Sequence, residues 1–377
     1  MKNNRIITII IIMLIIAIAL VLGLLTYNLL VNTTQTSSNK NIENEEQGNQ
    51  TVNIIQSSMN NSTNHEQLEN QTILDPIITN NEKHEYESLV SSYYYSQLDE
   101  TAKEIYDGLK ENKSNFISGN YVINYDTKFN TLLNTEGGEA KLNQAFQSAW
   151  NAFSYDNIDL FYIDVTKMTL INEYYSLGGI KTYKISIGPG NNSNYFQNTF
   201  KSKEEVEEAQ NYLENIKKQM IEQTAADDTY TKIARVHNWL IYSINYENEE
   251  NSKDQYTIYG ALKNGRAVCE GYARTFKYFM DGIGIPCVLV SGTGKNSQGQ
   301  IESHAWNYVQ INDTWYAIDV TWDDPVVDGG EQTNEMKYKY FLKGSDEFFK
   351  EHTEDGKISE NSITFKFPTL STQNYTR

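Results

Sequence analysis

The chain has 377 residues, enough for about two folded domains, and its 39% hydrophobic and 21% charged residues are typical of a globular protein. The 49 acidic residues outnumber the 31 basic ones, and a chain with a net charge of −18 repels phosphate, which argues against nucleic acid as a partner. The two cysteines are too few for a disulfide scaffold or for a zinc site built on cysteine ligands.

Residues 1–31 are predicted to form a cytoplasmic stub and a transmembrane anchor. The apolar run from Ile6 to Leu25 is long enough, at about 20 residues, to cross a bilayer as a helix. No small-residue cleavage site follows this run, which favours an uncleaved anchor over a cleaved signal peptide. Because Lys2 and Arg5 precede the run, the positive-inside rule keeps the N-terminus in the cytoplasm and places the rest of the chain outside the cell membrane.

A polar segment, residues 32–85, is predicted to be a disordered linker, since it has no aromatic residue and cannot bury enough apolar surface to offset the entropy of ordering. Residues 86–222 are predicted to form an α+β accessory region, although they contain no chemical motif. Apolar periodicity predicts helices at Tyr93–Lys113, Ala140–Phe153, Ser202–Gln223 and Thr229–Ser243, and strands at Leu160–Val165 and Thr182–Ile187. Ser202 followed by Glu205 predicts a capping box at the start of the third helix.

Cys269 lies at the start of a predicted helix that runs to Met280. The amides at a helix N-terminus carry a partial positive charge and stabilise a thiolate, which favours a reactive cysteine here. Two other interpretations remain open at this point: a buried structural cysteine, or one half of a disulfide with Cys287. Cys287 itself lies in an apolar stretch and is predicted to be a small core residue.

Two stretches of alternating apolar and polar residues, on either side of Asn312 and Asp313, predict a β-hairpin with a two-residue turn. In the register that this turn sets, His304 faces Thr321. Asp319 lies diagonally beside His304 on the same face, within reach of a hydrogen bond. A slip of one residue would move Asp319 to the opposite face of the sheet. The sequence therefore predicts a His304–Asp319 pair.

A cysteine, a histidine and an aspartate in this order fit the general arrangement of nucleophile, base and orienting carboxylate. A carboxylate that binds one imidazole nitrogen fixes the tautomer and stabilises the imidazolium. The second nitrogen of His304 is then free to take a proton from the thiol of Cys269.

Three sequence blocks around these residues resemble the signature blocks of the transglutaminase-like superfamily. The blocks are Gly265–Ala273 (GRAVCEGYA), Ser303–Asn307 (SHAWN) and Ile318–Pro325 (IDVTWDDP). The resemblance is specific over about residues 225–345 and extends weakly through His352. The superfamily contains cross-linking transglutaminases, peptide N-glycanases and cysteine peptidases of the kyphoscoliosis-peptidase type, and the last of these is the expected class. Heavy use of Asn, Ile, Lys and Tyr indicates an AT-rich bacterial genome.

The resemblance implies a papain-like α+β fold for residues 223–377, in which the nucleophile helix packs against an antiparallel sheet. It implies that Cys269 is the nucleophile and His304 the general base and then the general acid. Asp319 would be the carboxylate that orients the imidazole.

An oxyanion hole is also required for acyl transfer. The backbone N–H of Cys269 is a sensible donor, and the side-chain donor stays open among Tyr246, Tyr259 and Asn264. Trp306 and Tyr259 are predicted to line the substrate cleft.

The resemblance implies a thiol-dependent enzyme that transfers acyl groups from amide bonds of proteins or peptides, and hydrolysis is favoured. Transglutaminase cross-linking and a non-catalytic surface binding module are the alternatives. No metal or cofactor is predicted, because the acidic loop after Asp319 lacks the EF-hand pattern. The expected partners are a protein or peptide substrate and, through the N-terminal helix, the membrane.

Overall fold

The computed structural model describes residues 93–247, 252–325 and 332–377, and it confirms the predicted α+β class. The α-helices are α1 (Glu100–Glu111), α2 (Asn130–Leu133), α3 (Gly138–Asp156), α4 (Lys203–Thr224), α5 (Thr229–Ser243), α6 (Ile258–Lys263), α7 (Cys269–Ile283), α8 (Asn334–Lys337) and α9 (Ser345–Phe348). The β-strands are β1 (Ile123–Asp126), β2 (Thr169–Leu177), β3 (Ile180–Gly188), β4 (Asn245–Tyr246), β5 (Arg266–Ala267), β6 (Cys287–Lys295), β7 (Ile301–Ile311), β8 (Thr314–Ile318) and β9 (His352–Glu354).

A four-stranded antiparallel sheet in the order β8-β7-β6-β9 carries the predicted hairpin. Asn307 pairs with Ile318 and Ile311 pairs with Thr314, so the predicted register is confirmed. Asn312 and Asp313 both adopt a left-handed backbone, with φ of 50° and 56°, as a tight two-residue turn requires. The turn chemistry thus sets which side chains of β7 and β8 share a face.

Helix α7 begins at Cys269, because Val268 before it is extended and stands at the N-cap. The helix ends at Gly284, which takes the left-handed backbone of a C-cap with φ of 76°. Its apolar side is buried, and the Asn307 side-chain amide on β7 donates a 3.0 Å hydrogen bond to the Ala273 carbonyl. Burial and this hydrogen bond together hold the first turns of α7 against the sheet.

The accessory region consists of α1–α3 and a three-stranded sheet in the order β1-β3-β2, with α4 crossing its predicted end at residue 222. Ser202 caps α4 and accepts a hydrogen bond from the Glu205 amide, as predicted. Helix α1 begins at Glu100 rather than at Tyr93, because the Asp99 side chain accepts from the Ala102 amide and caps the helix there.

The predicted strand over Leu160–Val165 is wrong. The segment forms turns, and its one ladder-type contact is an isolated bridge between Ile163 and Phe196. Asp164 explains the difference, because its side chain accepts from the Thr166 amide at 3.0 Å and starts a short 3₁₀ helix.

A single core cluster of buried apolar residues extends across the predicted boundary at residue 222 and includes Phe153, Phe196, Phe276 and Phe365. The domain boundaries themselves stay predictions. The anchor and the linker, residues 1–85, lie outside the described residues. Within the described part of the chain, no helix has the length and apolar character that crossing a membrane requires.

Candidate active site

Cys269 is the first residue of α7 and is half-buried. The apolar side chain of Val268 at the N-cap accepts no hydrogen bond from the first-turn amides. These amides therefore keep their positive end available to a negative charge at the sulfur or at an oxygen bound beside it. Cys269 and Cys287 are both free thiols, so the disulfide interpretation is wrong.

His304 on β7 and Asp319, just beyond β8, meet as the hairpin register predicts. The distance from His304 Nε2 to Asp319 Oδ2 is 2.7 Å, and both side chains are buried. Burial by itself lowers the pKa of His304, but the charge and hydrogen bond of Asp319 outweigh it, and contact with Cys269 adds to the rise, to about 10. Since Nε2 is engaged by the carboxylate, Nδ1 is the nitrogen left for the sulfur.

Asp319 is the anionic member of the pair. Burial raises the pKa of this carboxyl, but the charges and hydrogen bonds of His304 and His352 outweigh burial and keep the pKa well below its ordinary value. Its second oxygen, Oδ1, accepts from the Trp322 amide at 3.1 Å. The carboxylate is therefore an anion fixed at both oxygens.

His352 is a third member of this buried group. Its Nε2 lies 2.9 Å from the same Asp319 oxygen that His304 binds, and its Nδ1 lies 3.3 Å from the Phe348 carbonyl. Its ring stacks on Phe348 with centroids 3.9 Å apart. Sequence reasoning gave His352 no role, because it reaches the site only through the pairing of β9 with β6.

These three side chains could also bind a metal ion, since one ligand atom from each lies within 4.8 Å of the others. Here, however, one carboxylate oxygen faces both Nε2 atoms at hydrogen-bond distance. We therefore interpret His304, Asp319 and His352 as a hydrogen-bonded chain. The chemistry of such a chain is proton transfer at His304 rather than ligation.

Two glycines on β6 make room for the rings around His304. A Cβ on Gly292 would lie 2.6 Å from the Trp306 ring, and one on Gly294 would lie 2.6 Å from the Trp322 ring. Trp322 in turn stacks on His304 with centroids 4.7 Å apart. The glycines thus let the tryptophans hold the imidazole in place.

Of the two predicted cleft residues, Trp306 is hidden from solvent and Tyr259 packs against the accessory region. Trp306 is 1% exposed and packs against His304 and His352, so it belongs to the wall behind the imidazole. Tyr259 stacks on Phe161 with centroids 5.8 Å apart and joins α6 to the accessory region.

Tyr246, one of the three predicted oxyanion donors, lies within the electrostatic reach of Cys269. The pKa of its hydroxyl is raised to about 12, first by burial and then by the charge of Cys269. Asn264 is exposed at the end of α6. Tyr155 of α3, which has no sequence signal, also lies within the electrostatic reach of Cys269. The accessory region therefore contributes to the surroundings of the nucleophile.

Asp323 and Asp324, which follow Asp319 in the sequence, have other partners. Asp323 accepts from His237 at 3.0 Å and from the Tyr340 amide at 2.7 Å. Burial raises the pKa of Asp323 to about 6. Asp324 accepts from the Tyr272 hydroxyl at 2.8 Å. His237 is therefore a buried hydrogen-bonding residue of α5.

Replacing His352 with leucine is expected to slow the alkylation of Cys269 by iodoacetamide about 10-fold to 100-fold. The change removes one hydrogen bond to a buried carboxylate. His352→Gln keeps an N–H donor and is expected to restore part of the rate and the pH profile. Equal losses in the two variants, with unchanged pH profiles, would show that His352 acts only through packing.

Part of this chain is similar in sequence to known proteins. A family model described as the Transglutaminase-like superfamily matches residues 216–320. The kyphoscoliosis peptidases of Mus musculus and Homo sapiens are each 27% identical to this chain, over 139 and 146 residues. These alignments cover 33% and 34% of this chain but 21% and 22% of the relatives, so the chain matches about a fifth of their length. A crystal structure of a TGase aligns with 47% of this chain and 50% of its own, at 17% identity and a TM-score of 0.28.

Proposed function

The chain carries a domain of the transglutaminase-like superfamily, and from this premise we propose that it is a thiol-dependent acyl-transfer enzyme that hydrolyses amide bonds of proteins or peptides. The observation that carries the proposal is the placement of His304 between a buried carboxylate and the Cys269 thiol. A thiol at a helix N-terminus beside a histidine that an anion orients has the parts that nucleophilic catalysis needs.

In the first half of the proposed reaction, the Cys269 thiolate attacks the carbonyl carbon and a C–S bond forms. The carbonyl oxygen becomes an oxyanion, and the Cys269 amide and the Tyr246 hydroxyl are the donors proposed to stabilise it. The C–N bond then breaks, and the leaving amine takes the proton that His304 holds on Nδ1. Asp319 keeps the imidazolium stable until that proton is given up.

In the second half, water attacks the thioester and His304 takes a proton from it. The C–S bond breaks, the carboxylic acid leaves, and the proton from water stays on His304, which restores the thiolate–imidazolium pair. A lysine amine in place of water would give an isopeptide bond by the same steps. The preference for water is supported by the two relatives, which are named as peptidases.

The test is incubation of the chain from about residue 86 with glutamine-containing peptides, with and without a primary amine. We expect mass spectrometry to show cleaved or deamidated peptide in both reactions, and a Cys269→Ala variant to show neither. Amine incorporation that exceeds hydrolysis would assign the chain to the cross-linking transglutaminases. Binding of peptide with no change of mass in any reaction would favour the non-catalytic module.

A further inference from the structure

A pocket of about 340 Å³ lies between the accessory region and the segment that leads to α7. Its walls are mainly apolar, with Phe153, Ile158 and Phe161 on one side and Ile258 on the other. Val165 also lines it and is 52% exposed, which leaves apolar surface facing the opening. A concave, apolar site of this size is suited to a bulky apolar group.

The pocket lies beside the nucleophile. Glu270, the residue after Cys269, lines it together with Arg274 one turn further along α7. Adjacent Cα atoms are about 3.8 Å apart, so the pocket begins within one residue of Cys269. A peptide whose amide bond reaches the sulfur can therefore place a neighbouring side chain in the pocket.

The charged groups of the pocket are already paired with one another. Glu270 and Arg274 form an ion pair at 2.8 Å, and Lys253 lies 3.6 Å from Asp164. A charged ligand would have to displace one of these partners. The electrostatics of the pocket thus favour a neutral occupant.

Two buried polar atoms of lining residues have no hydrogen-bond partner within the described ranges: the Gln197 side-chain oxygen Oε1 and the Trp150 indole nitrogen Nε1. Gln197 is 8% exposed, and its Nε2 donates to the Ile163 carbonyl at 3.1 Å, which fixes which end of the amide is free. Trp150 is 6% exposed. Both atoms are themselves buried, so they do not face the open space of the pocket, and the accessible wall is mainly apolar.

We propose that this pocket is a substrate subsite that binds an aromatic side chain of the peptide. The apolar walls bury the ring, and the paired charges of the lining residues disfavour a charged side chain. The inference rests on the proposed function for its substrate class, and it assigns the accessory region a part in specificity.

The experiment measures binding by titration calorimetry to the Cys269→Ala chain, so that turnover does not interfere. The probes are alanine–glycine hexapeptides with a single tyrosine at each position in turn, with matched phenylalanine and all-alanine peptides. We expect the best tyrosine peptide to bind at least about 10-fold more tightly than the alanine peptide, as burial of one aromatic ring predicts.

A pocket-filling variant tests whether the tyrosine side chain binds in this pocket. Val165→Trp places a ring over the opening and is expected to remove the tyrosine preference. Val122→Trp is the matched control, since Val122 is 37% exposed and does not line the pocket. Circular dichroism checks that each variant is folded.

The inference is overturned if no tyrosine peptide binds better than the alanine peptide, or if Val165→Trp and Val122→Trp bind it equally well. Hydrolysis of the same peptides by the unsubstituted chain separates the two proposals. Tyrosine-dependent binding without turnover keeps the subsite and rejects the enzyme. Turnover without any tyrosine preference keeps the enzyme and rejects the subsite.

Discussion

Replacing Cys269 with alanine is expected to abolish amide hydrolysis, with a loss on the order of 10,000-fold or more. The variant keeps the helix start and the His304–Asp319 pair but has no atom that can form the thioester. Steady-state assays on a peptide that the unsubstituted chain cleaves provide the measurement. Residual activity within about 10-fold of the unsubstituted chain would mean that water, not sulfur, attacks the substrate.

Cys287 offers a matched control on the same protein. It is fully buried in β6, and burial raises the pKa of its thiol well above the ordinary value. Cys287→Ala is therefore expected to keep full activity and to lower the free energy of unfolding by about 1 kcal/mol through the lost core volume. Iodoacetamide should label the folded chain once, at Cys269, and label the Cys269→Ala variant not at all. Labelling of Cys287 in the folded chain would contradict this assignment.

The parts of the site that the sequence predicts are those set by local chemistry. Asn312 and Asp313 fit a two-residue turn, and this turn alone sets the register that brings His304 to Asp319. The start of α7 at Cys269 is similarly local, because the apolar stripe of the helix begins there and a left-handed glycine ends it. The hairpin register and the start of α7 each depend on fewer than about 20 neighbouring residues.

The parts that sequence reasoning misses depend on contacts between distant segments. His352 reaches Asp319 because β9 pairs with β6, and no periodicity in the sequence marks so short a strand. Tyr155 lies on the accessory region and meets the surroundings of Cys269 only after the core has formed. The consecutive apolar residues of Leu160–Val165 are typical of a strand. In the structure, the Asp164 side chain instead caps a short 3₁₀ helix.

Replacing Asp319 with asparagine is expected to lower turnover about 100-fold to 10,000-fold and to change its pH dependence. Asparagine keeps the volume but removes the charge. Without that charge, burial is the main influence left on His304, and its pKa falls from about 10 towards or below the ordinary 6.5. At neutral pH the imidazole is then neutral, and the Cys269 thiolate loses its positive neighbour.

The pH profile distinguishes this cause from a packing defect. We expect the alkylation rate of Cys269 in Asp319→Asn to fall most near pH 6–7. The difference should narrow above about pH 9, where a free thiol ionises without help. Asp346→Asn, which changes an exposed carboxylate, is the control. A deficit of the same size at every pH would show that Asp319 acts through shape alone.

The free energy of unfolding is expected to depend on pH through the charges of His304 and Asp319. The pKa of His304 is raised on folding, so its contribution is complete below about pH 6.5 and is lost as the pH rises through about 10. The pKa of Asp319 is lowered on folding, so its contribution is present above the ordinary 3.8 and is lost as the pH falls. Both contributions are present in full from about pH 4 to pH 6.5. Urea unfolding should therefore separate Asp319→Asn from the unsubstituted chain more widely at pH 5 than at pH 9. A difference in unfolding free energy between the two chains that widens towards pH 9 would mean that the buried pair is not an imidazolium and a carboxylate.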